Sequence, residues 1–347
     1  MKSVQKLGGA ILKVIEQMTT EETEVLKDGT ATLFLDPDAD KARAFFAQKS
    51  RVMTDKRMTV KEAVERFIPD GCSFGSGGFS TSRTSVAVLH EIVRQKKKNL
   101  LLYATTSSYV SDLLSIGNCF NRVDVSYVVG MEARGLSPNA RRWVESGEVE
   151  VVEWTNHALL VRLRAAAQGV SFALSRMMLG SETYTKSAAK TIICPFTGQK
   201  YLALPAAWID VAVIHVHEAD MFGNCRIRGM TGVDLDMSRA AKHLIITTER
   251  LIPNENIRGN PSATFIPGYL VDAVIEVPFG AYPCHMAYEY FSDEAHFAEQ
   301  LKIEENPEEF AKWVDKHIYG VSSHAEYLEL CGGIRRMSEL RLIENPV

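Results

Sequence analysis

The sequence predicts an α/β fold with an open, mostly parallel sheet flanked by helices. Two observations support this prediction: from residue 59 onward, apolar β-branched runs alternate with helical patterns, and amphipathic helices flank several of these runs. The predicted strands are residues 99–103, 123–129, 149–153, 210–216, 243–248 and 272–277. The flanking helices include residues 85–94 and 157–168, so the order of elements is typical of a parallel sheet.

The first 52 residues form a distinct polar and amphipathic stretch, with helices predicted over residues 7–18 and 40–47. We interpret residues 1–52 as an N-terminal extension and residues 53–347 as the main domain. The main domain opens with a helix that ends at Phe67, because Thr59 and Glu62 have the spacing of a capping box.

The composition is that of an ordinary globular protein, with 347 residues, 46% of them hydrophobic and 24% charged. A formal net charge of -4 argues against a general affinity for nucleic acid, which depends on a basic surface. The six cysteines lack metal-ligand spacing, as is typical of a reduced, intracellular chain. Neither a signal sequence nor an apolar run of membrane length is recognised, so we expect a cytoplasmic protein that makes no membrane contact.

Residues 70–83 join a turn, a loop of small residues and a helix start. Glycines at positions 75, 77 and 78 allow positive φ and let backbone N–H groups approach an anion or acyl oxygen, and the hydroxyls at positions 80–82 can cap the following helix. A dinucleotide loop fits poorly, because Ser80 stands where a third glycine is needed. A Walker loop is excluded, because no Gly-Lys-Ser/Thr follows the glycines. The pattern therefore predicts a ligand-binding loop of another kind.

The same segment resembles the signature of the A subunit in the family I coenzyme A transferases, most closely the glutaconate type. That signature runs from Asp-Gly through an apolar stretch to Gly-Gly-Phe, as in Asp70-Gly71 and Gly77-Gly78-Phe79, and Arg83 stands where the glutaconate type also has arginine. The departures are Gly75, Ser76 and Ser85. Further matches follow in order within residues 53–335: Leu204-Pro205, Asp210-Val211-Ala212-Val213-Ile214-His215, Gly223-Asn224, Ala240-Ala241-Lys242, Ile266-Pro267-Gly268, Val271-Asp272-Ala273-Val274 and Pro278-Phe279-Gly280-Ala281-Tyr282-Pro283.

The resemblance implies a ping-pong reaction in which a glutamate attacks an acyl-CoA. A mixed anhydride forms, and CoA passes through a glutamyl-CoA thioester to a carboxylate acceptor, which divides one slow exchange into easier steps. In two-subunit members this glutamate belongs to the B subunit, in a Ser-Glu-Asn-Gly or Glu-x-Gly setting. Neither Glu132 nor Glu182 has such a setting here, so we interpret the chain as an A subunit that is inactive alone.

The resemblance also implies a B-subunit partner, an A2B2 or A4B4 hetero-oligomer, and coenzyme A as a substrate with no tightly bound cofactor. The expected substrates are an acyl-CoA and a small carboxylic or dicarboxylic acid. Two alternatives stay open at this point. One is a CoA-thioester hydrolase, decarboxylase or ring-opening enzyme on the same two-subunit fold, and the other is a non-catalytic regulatory subunit that binds acyl-CoA.

After the loop, the resemblance gives most weight to Asn156. Its position corresponds to a carboxamide, usually glutamine, that in similar enzymes touches the catalytic carboxylate or the acyl oxygen. A neutral amide can donate to a developing oxyanion without neutralising the nucleophile. The alternative role is that of a helix N-cap, to which asparagine is also suited.

The residues expected to bind substrate or CoA are Gly77, Gly78, Phe79, Ser80, Arg83, Thr106, Ser107, Glu132 and Ser181. The hydroxyls at positions 106 and 107 follow a predicted strand, where parallel sheets place ligands, although a strand-to-helix cap explains them equally well. Ser181 either lines the same pocket or forms an ordinary turn. Glu132 either faces the site or pairs with Arg134 or Arg141. His215 and His217 lie on one side of a predicted strand, but no third ligand is positioned, so no metal site is predicted.

Overall fold

The computed structural model of the chain describes residues 28–346, and the helix predicted over residues 7–18 lies outside them. Within the described residues there is an eight-stranded sheet and a three-stranded sheet. The strands are β1 (Ser73–Ser76), β2 (Leu100–Ala104), β3 (Phe120–Val125), β4 (Glu150–Glu153), β5 (Phe172–Ser175), β6 (Lys190–Ile193), β7 (Lys200–Pro205), β8 (Ile209–Ala219), β9 (Cys225–Arg226), β10 (Ala241–Leu251) and β11 (Ala273–Glu276).

The α-helices of residues 28–346 surround the main sheet. They are α1 (Ala39–Gln48), α2 (Val60–Phe67), α3 (Val86–Arg94), α4 (Ser108–Ile116), α5 (Pro138–Val144), α6 (Asn156–Gln168), α7 (Glu182–Thr185), α8 (Asp234–Ala240), α9 (Asn254–Gly259), α10 (Glu294–Glu304), α11 (Pro307–Val314), α12 (His324–Leu330) and α13 (Gly333–Glu344). None of the helices in this part of the chain combines the length and the apolar character needed to cross a membrane.

The main sheet has the strand order β11-β10-β8-β1-β2-β3-β4, and each neighbouring pair is parallel. The short β9 pairs antiparallel with β8. Along the chain, β1 to β4 extend the sheet in one direction, whereas β8, β10 and β11 extend it in the other. The strand order therefore reverses between β1 and β8, where open α/β sheets place their ligands.

Side chains on the central strands alternate between two hydrophobic cores, one on each face of the sheet. On β8, Val211 and Val213 lie in the core that includes α3 and α4, whereas Ala212 and Ile214 lie in the core that includes α6. This alternation follows from the two-residue repeat of a strand. Because both faces are covered, β8 is an almost continuous apolar run, as the sequence shows.

The predicted α/β architecture is confirmed. A strand is present at each of the six predicted positions, although β3 covers Phe120–Val125 where residues 123–129 were predicted. Helix α2 begins with the predicted capping box, in which Thr59 Oγ1 accepts a hydrogen bond from Glu62 N and the Glu62 carboxylate accepts one from Thr59 N. The helix predicted over residues 40–47 is α1, and the Asp38 carboxylate caps it.

Three features of the fold differ from the sequence-based expectation. Residues 73–76 are the central strand β1, where a loop was expected. Gly75 allows close packing on one face of the sheet, because a Cβ atom there would lie only 2.9 Å from Ile209 Cδ1. The antiparallel sheet β5-β7-β6 was not predicted, since its strands are short and partly polar. The hydroxyls of residues 80–82 do not cap α3, whose N-cap residue is Ser85.

The described part of the N-terminal extension packs against the main domain. Leu35 and Ala42 are buried in the same core as α6. The Lys49 ammonium lies 2.7 Å from the Asp272 carboxylate and donates to two backbone carbonyl groups nearby. These contacts hold residues 28–52 on the domain, and the proposed boundary at residue 52 stays a prediction.

The chain segment 28–58 also contacts both outer strands of the main sheet. At one edge, the Thr32 hydroxyl donates to the Glu150 carboxylate of β4 at 2.5 Å. At the other edge, Met58 N donates to the Val274 carbonyl of β11 at 3.1 Å, and Val274 N donates to the Lys56 carbonyl at 2.9 Å. The segment therefore extends from β4 to β11.

Candidate active site

The loop of residues 77–83 leaves the carboxyl end of β1 at the point where the strand order reverses. The neighbouring strands β2, β3 and β4 end at the same edge, because the four strands are parallel. The segments that follow them carry Thr106, Ser126 and Asn156. The topology therefore brings the loop and these polar side chains to one edge of the sheet.

The backbone N–H groups of residues 77–80 all donate to acceptors inside the protein. At 2.8 to 3.0 Å they bind the carbonyl oxygens of Val213, Ser82 and Thr106 and the carboxylate of Asp234. The expectation that these groups face an anion is therefore wrong for this structure. Among the loop glycines at positions 75, 77 and 78, only Gly78 has positive φ, at 82°. The loop is a fixed surface whose own hydrogen bonds determine its shape.

Asp234 is the anchor of the loop. Its Oδ1 accepts from Gly78 N at 2.8 Å, and its Oδ2 lies 2.5 Å from Arg83 Nη2. Burial raises the pKa of Asp234, although the Arg83 charge and the bond from Gly78 act against this rise. A Cβ atom at Gly77 would lie only 2.5 Å from Asp234 Oδ1, so glycine is needed there for close approach.

Arg83 lies beneath the loop and is 1% exposed. Besides the Asp234 carboxylate, its guanidinium binds the carbonyl oxygens of Met230 at 2.7 Å and His215 at 3.2 Å. The expectation that Arg83 binds substrate differs from this geometry, since its cationic end faces the protein. In the structure, Arg83 positions the loop.

Asn156 lies at the open edge beside the loop and is exposed. Its Oδ1 accepts hydrogen bonds from the Thr106 hydroxyl at 2.8 Å and from the Ser126 hydroxyl. The N-cap of α6 is Thr155, whose hydroxyl accepts from Ala158 N, so Asn156 does not have the capping role. With Oδ1 held in this way, the two N–H groups of its amide are available to a ligand.

The hydroxyls around Asn156 join it to the loop. Ser80 N donates to the Thr106 carbonyl at 3.0 Å, and Ser80 Oγ lies 3.3 Å from Ser108 Oγ. Thr106 therefore contacts the loop through its backbone and Asn156 through its side chain. Ser107 is buried next to it, where its N–H donates to the Tyr127 carbonyl, and its side chain does not cap α4.

Glu132 lies in a short 3-10 turn, Glu132–Arg134, that borders the same edge. Arg134 Nη1 reaches the Thr81 hydroxyl at 3.4 Å, which places this turn beside the loop. Within the part of the chain that is described, Arg134 pairs with Glu294 and Arg141 pairs with Glu145, and Glu132 makes no ion pair. The exposed Glu132 carboxylate is therefore free to meet a ligand or partner.

Four of the expected site residues have left-handed backbone geometry. Their φ angles are 55° at Ser80, 58° at Arg83, 47° at Thr106 and 57° at Glu132. Such angles are uncommon for residues other than glycine, and least favourable for β-branched threonine. They persist only where surrounding contacts hold them, and they cluster at functional sites.

Ser181 is the expected residue that the structure does not bring to the loop. Its hydroxyl donates to the Met178 carbonyl at 2.8 Å, as in an ordinary turn, and it precedes α7. The same helix lies near the end of β4, because the Lys186 ammonium pairs with Glu153 at 3.3 Å. Ser181 therefore lies near the edge and outside the hydrogen-bonded cluster.

A buried chain of hydrogen bonds lies behind the loop, and sequence reasoning missed it. Glu249 accepts from the Tyr290 hydroxyl at 2.7 Å and lies 2.8 Å from His215 Nε2, while His215 Nδ1 lies 2.8 Å from Thr247 Oγ1. Burial raises the pKa of Glu249, but the His215 contact together with the hydrogen bonds from the Tyr290 hydroxyl and Phe279 N outweighs it, so this pKa is lowered. Because the His215 carbonyl accepts from Arg83, the chain also supports the loop.

His217 shares the buried side of β8 with His215. Its Nδ1 accepts from Arg228 N at 3.1 Å, its Nε2 donates to the Ala287 carbonyl at 2.8 Å, and burial lowers its pKa to about 4. Both ring nitrogens of each histidine thus have protein partners. Residues 28–346 contain no group of three or more His, Cys, Asp or Glu side chains placed to hold a metal ion.

The arrangement offers the amide donors of Asn156 on one side of a fixed loop, and Phe79 is 37% exposed on that loop. Such donors can bind a carboxylate or an acyl oxygen. Asp234 is the main residue that the sequence did not reveal, since it lies 156 positions from Gly78. The only local signal was an acidic residue at the start of a helix.

Comparisons with known proteins agree with this geometry. Residues 57–277 match the sequence model of the family described as coenzyme A transferase. The chain is 31% identical over 300 residues to the A subunit of glutaconate CoA-transferase from Acidaminococcus fermentans, covering 81% of this chain and 93% of the relative. It is 34% identical over 274 residues to the A subunit of 3-oxoadipate CoA-transferase from Pseudomonas knackmussii, covering 78% and 96%.

The fold is similar to a solved structure as well. The crystal structure of glutaconate coenzyme A-transferase from Acidaminococcus fermentans superimposes with a TM-score of 0.78 at 29% identity. The superposition covers 82% of this chain and 95% of the other. The sequence and structure comparisons thus point to the same protein family.

Proposed function

The chain belongs to the coenzyme A transferase family, and we propose that it is the A subunit of a two-subunit CoA-transferase. The complex moves CoA between an acyl-CoA and a small carboxylic or dicarboxylic acid. The observation that carries this proposal is the outward-facing amide of Asn156 beside the fixed loop, because it provides donors for an acyl oxygen next to a wall that a partner can face.

The nucleophile in this proposal is a glutamate of the partner, the B subunit. Its carboxylate attacks the thioester carbonyl of the acyl-CoA, the C–S bond breaks, and an anhydride and CoA thiolate form. The thiolate then attacks the glutamyl carbonyl of the anhydride, which releases the first acid and leaves a glutamyl-CoA thioester. The acceptor acid reverses both steps and leaves as the new acyl-CoA.

This chain contributes position and hydrogen bonds to that reaction. The amide of Asn156 donates to the partner's carboxylate or to the acyl oxygen, and Thr106 and Ser126 hold its other end. Residues 77–80 form the wall of the acyl-CoA site. Ser107, Glu132 and Ser181 remain proposed contacts around it, and Arg83 acts on the substrate only through the loop.

The proposed assembly is an A2B2 or A4B4 hetero-oligomer in the cytoplasm, with CoA as a substrate and no tightly bound cofactor. The coenzyme A transferase relatives named above are both A subunits, which supports a partner for this chain. The exposed Phe79 ring and the exposed Asn156 amide at the open edge support a site that a second subunit completes.

The test is to purify the chain alone and together with its co-expressed partner, and to measure exchange of labelled acid into acyl-CoA. We expect no exchange by the chain alone and exchange by the complex, with a glutamyl-CoA thioester on the partner after acyl-CoA is added, detected by mass spectrometry. Turnover by the chain alone would overturn its assignment as one half of the enzyme. Hydrolysis or decarboxylation without exchange would favour a hydrolase, decarboxylase or ring-opening enzyme on the same two-subunit fold. Binding of acyl-CoA without turnover would favour a non-catalytic regulatory subunit.

A further inference from the structure

The small antiparallel sheet has an apolar outer face, which we define as Phe172, Leu174, Tyr201, Ala203 and Pro205. The strand register pairs Leu174 with Ala203 and Phe172 with Pro205, so these side chains lie on one side. Phe172 and Leu174 are 50% and 49% exposed. The alternate residues of β7 face the other way into the core. The outer face is covered only in part by the described residues, since Pro205 is buried and Ala203 is half-buried, whereas Phe172 and Leu174 remain open.

The N-terminal segment joins the described chain at the border of this outer face. The Asp28 carboxylate accepts from Thr191 N of β6 at 3.0 Å and lies 3.4 Å from the Lys190 ammonium. A groove of about 350 Å³ begins there, and Leu33 and Phe172 line it together with Lys190. Residues 1–27 therefore join the chain at the edge of an apolar surface that the described residues cover only in part.

The sequence of that segment provides an apolar stripe of suitable size. Leu7, Ile11, Val14, Ile15 and Met18 recur at helical spacing, so they share one face of the predicted helix. Twelve helical residues extend about 18 Å, and strands of four to six residues extend about 13 to 20 Å. The nine residues that connect this stripe to Asp28 can span up to about 30 Å, which is enough to reach the face.

One short run of the segment is opposite in charge to two basic side chains at the border of the outer face. The segment carries an acidic run of Glu21, Glu22 and Glu24 close to the attachment point. The border of the outer face carries the exposed Lys190, and Arg176 lies over the ring of Tyr201 at 5.8 Å. Opposite charges placed in this way fix orientation and suppress alternative partners.

We propose that the outer face is the docking surface for residues 7–18 of the same chain, with the acidic run beside Arg176 and Lys190. The occupant lies outside the family match, which begins at residue 57. Docking of residues 7–18 is therefore independent of the proposed transferase function. In this proposal residues 7–18 bind the outer face of the small sheet within the same chain.

The test is hydrogen exchange of the purified full-length chain, followed by mass spectrometry of peptides from residues 7–18. We expect their amides to exchange at least tenfold slower in the unmodified protein than in Leu174→Glu, which places a charge at the centre of the face. The matched control is Leu342→Glu on α13, where the leucine is 59% exposed. This control is expected to leave the protection unchanged.

A milder variant, Phe172→Gln, keeps the test decisive if Leu174→Glu does not fold. It too should release residues 7–18 without changing exchange in the main sheet. Equal, fast exchange of these residues in the unmodified protein would overturn the proposal. Protection of residues 7–18 that persists in both variants would also overturn it. A third contrary result is a concentration-dependent doubling of mass that Leu174→Glu abolishes while residues 7–18 exchange freely, because a second copy of the chain would then cover the face.

Discussion

The loop of residues 77–83 and the edge around Asn156 lie side by side, but they offer different groups to a ligand. In the loop, the N–H groups of residues 77–80 are bonded internally, and a buried ion pair lies beneath them. At the edge, an exposed amide is held by its oxygen, and its N–H groups have no hydrogen-bond acceptor within residues 28–346. The loop therefore supplies shape, whereas the segment after a neighbouring strand supplies hydrogen-bond donors.

The largest expected effect is on the anchor of the loop. Asp234→Ala leaves the Arg83 guanidinium buried without its counter-charge, which costs about 3 to 5 kcal/mol of unfolding free energy. Chemical denaturation measures this loss. The control is Asp236→Ala, which removes a more exposed pair with Arg164 and should cost less than about 1 kcal/mol. A loss below about 1 kcal/mol for Asp234→Ala would show that the loop does not depend on this anchor. Asp234→Asn is the alternative variant if the alanine protein does not fold.

The edge around Asn156 is tested by measuring the activity of the complex instead of the stability of the chain. In the complex with its partner, Asn156→Ala should lower kcat about 10²- to 10³-fold, because it removes donors aimed at the acyl oxygen. Its unfolding free energy should fall by no more than about 1 to 2 kcal/mol, because the amide is exposed but the buried Thr106 hydroxyl loses its acceptor. Asn156→Gln should recover part of kcat, and the neighbouring His157→Ala should have no effect. A kcat for Asn156→Ala equal to that of the unmodified complex would remove Asn156 from the mechanism.

A smaller effect is expected from an added methyl group at Gly78, and it distinguishes the cost of a positive φ angle from the cost of a steric clash within the loop. Gly78 and Gly180 both have positive φ, at 82° and 78°. An added Cβ at Gly78 would lie 2.3 Å from the Ser82 carbonyl oxygen, whereas nothing lies within 4 Å at Gly180. We expect Gly78→Ala to cost about 1 to 3 kcal/mol more than Gly180→Ala in chemical denaturation, and to reduce exchange activity. Equal costs would mean that the loop rearranges freely.

The smallest effect concerns the carboxyl pair that supports α4, the helix after Thr106. Asp112 and Glu304 are buried together, and burial followed by the Asp112 charge raises the pKa of Glu304 to about 9. The folded protein therefore binds more protons than the unfolded chain between an ordinary carboxyl pKa of 4.5 and about 9. In that window the unfolding free energy must fall as pH rises.

Relative to Glu304→Gln, we expect the unfolding free energy of the unmodified protein to fall by about 1 kcal/mol between roughly pH 7 and 8. Denaturant titrations at the two pH values measure the difference in slope. Identical slopes in the two proteins would show that Glu304 is ionised in the folded state.

The parts of the fold that could be predicted from sequence depend on local pattern. The capping box of Thr59 and Glu62 and the apolar run of β8 are short-range signals, and the structure confirms both. The small sheet was missed because β5 and β6 have four residues each and no clear alternation. Such strands are stable only against the core that they cover.

For the candidate site, residue types were easier to predict than their contacts. Thr106, Asn156 and Ser80 do lie together, because the ends of parallel strands meet at one edge. The occupied N–H groups of the loop and the burial of Arg83 could not be predicted, since both depend on Asp234 and β8, which are distant in sequence. Pairings at that distance leave no local pattern in a single sequence.

The path of residues 28–58 has a consequence for the open sheet. A sheet that does not close leaves two edge strands, and their unpaired N–H and C=O groups can recruit strands from other molecules. Here Lys56 and Met58 take up the exposed backbone groups of Val274 in β11, and Thr32 lies against Glu150 of β4. At β11 this stretch of chain thus takes up backbone groups that a further strand could otherwise bind, which makes it a guard against self-association at that edge as well as an extension of the domain.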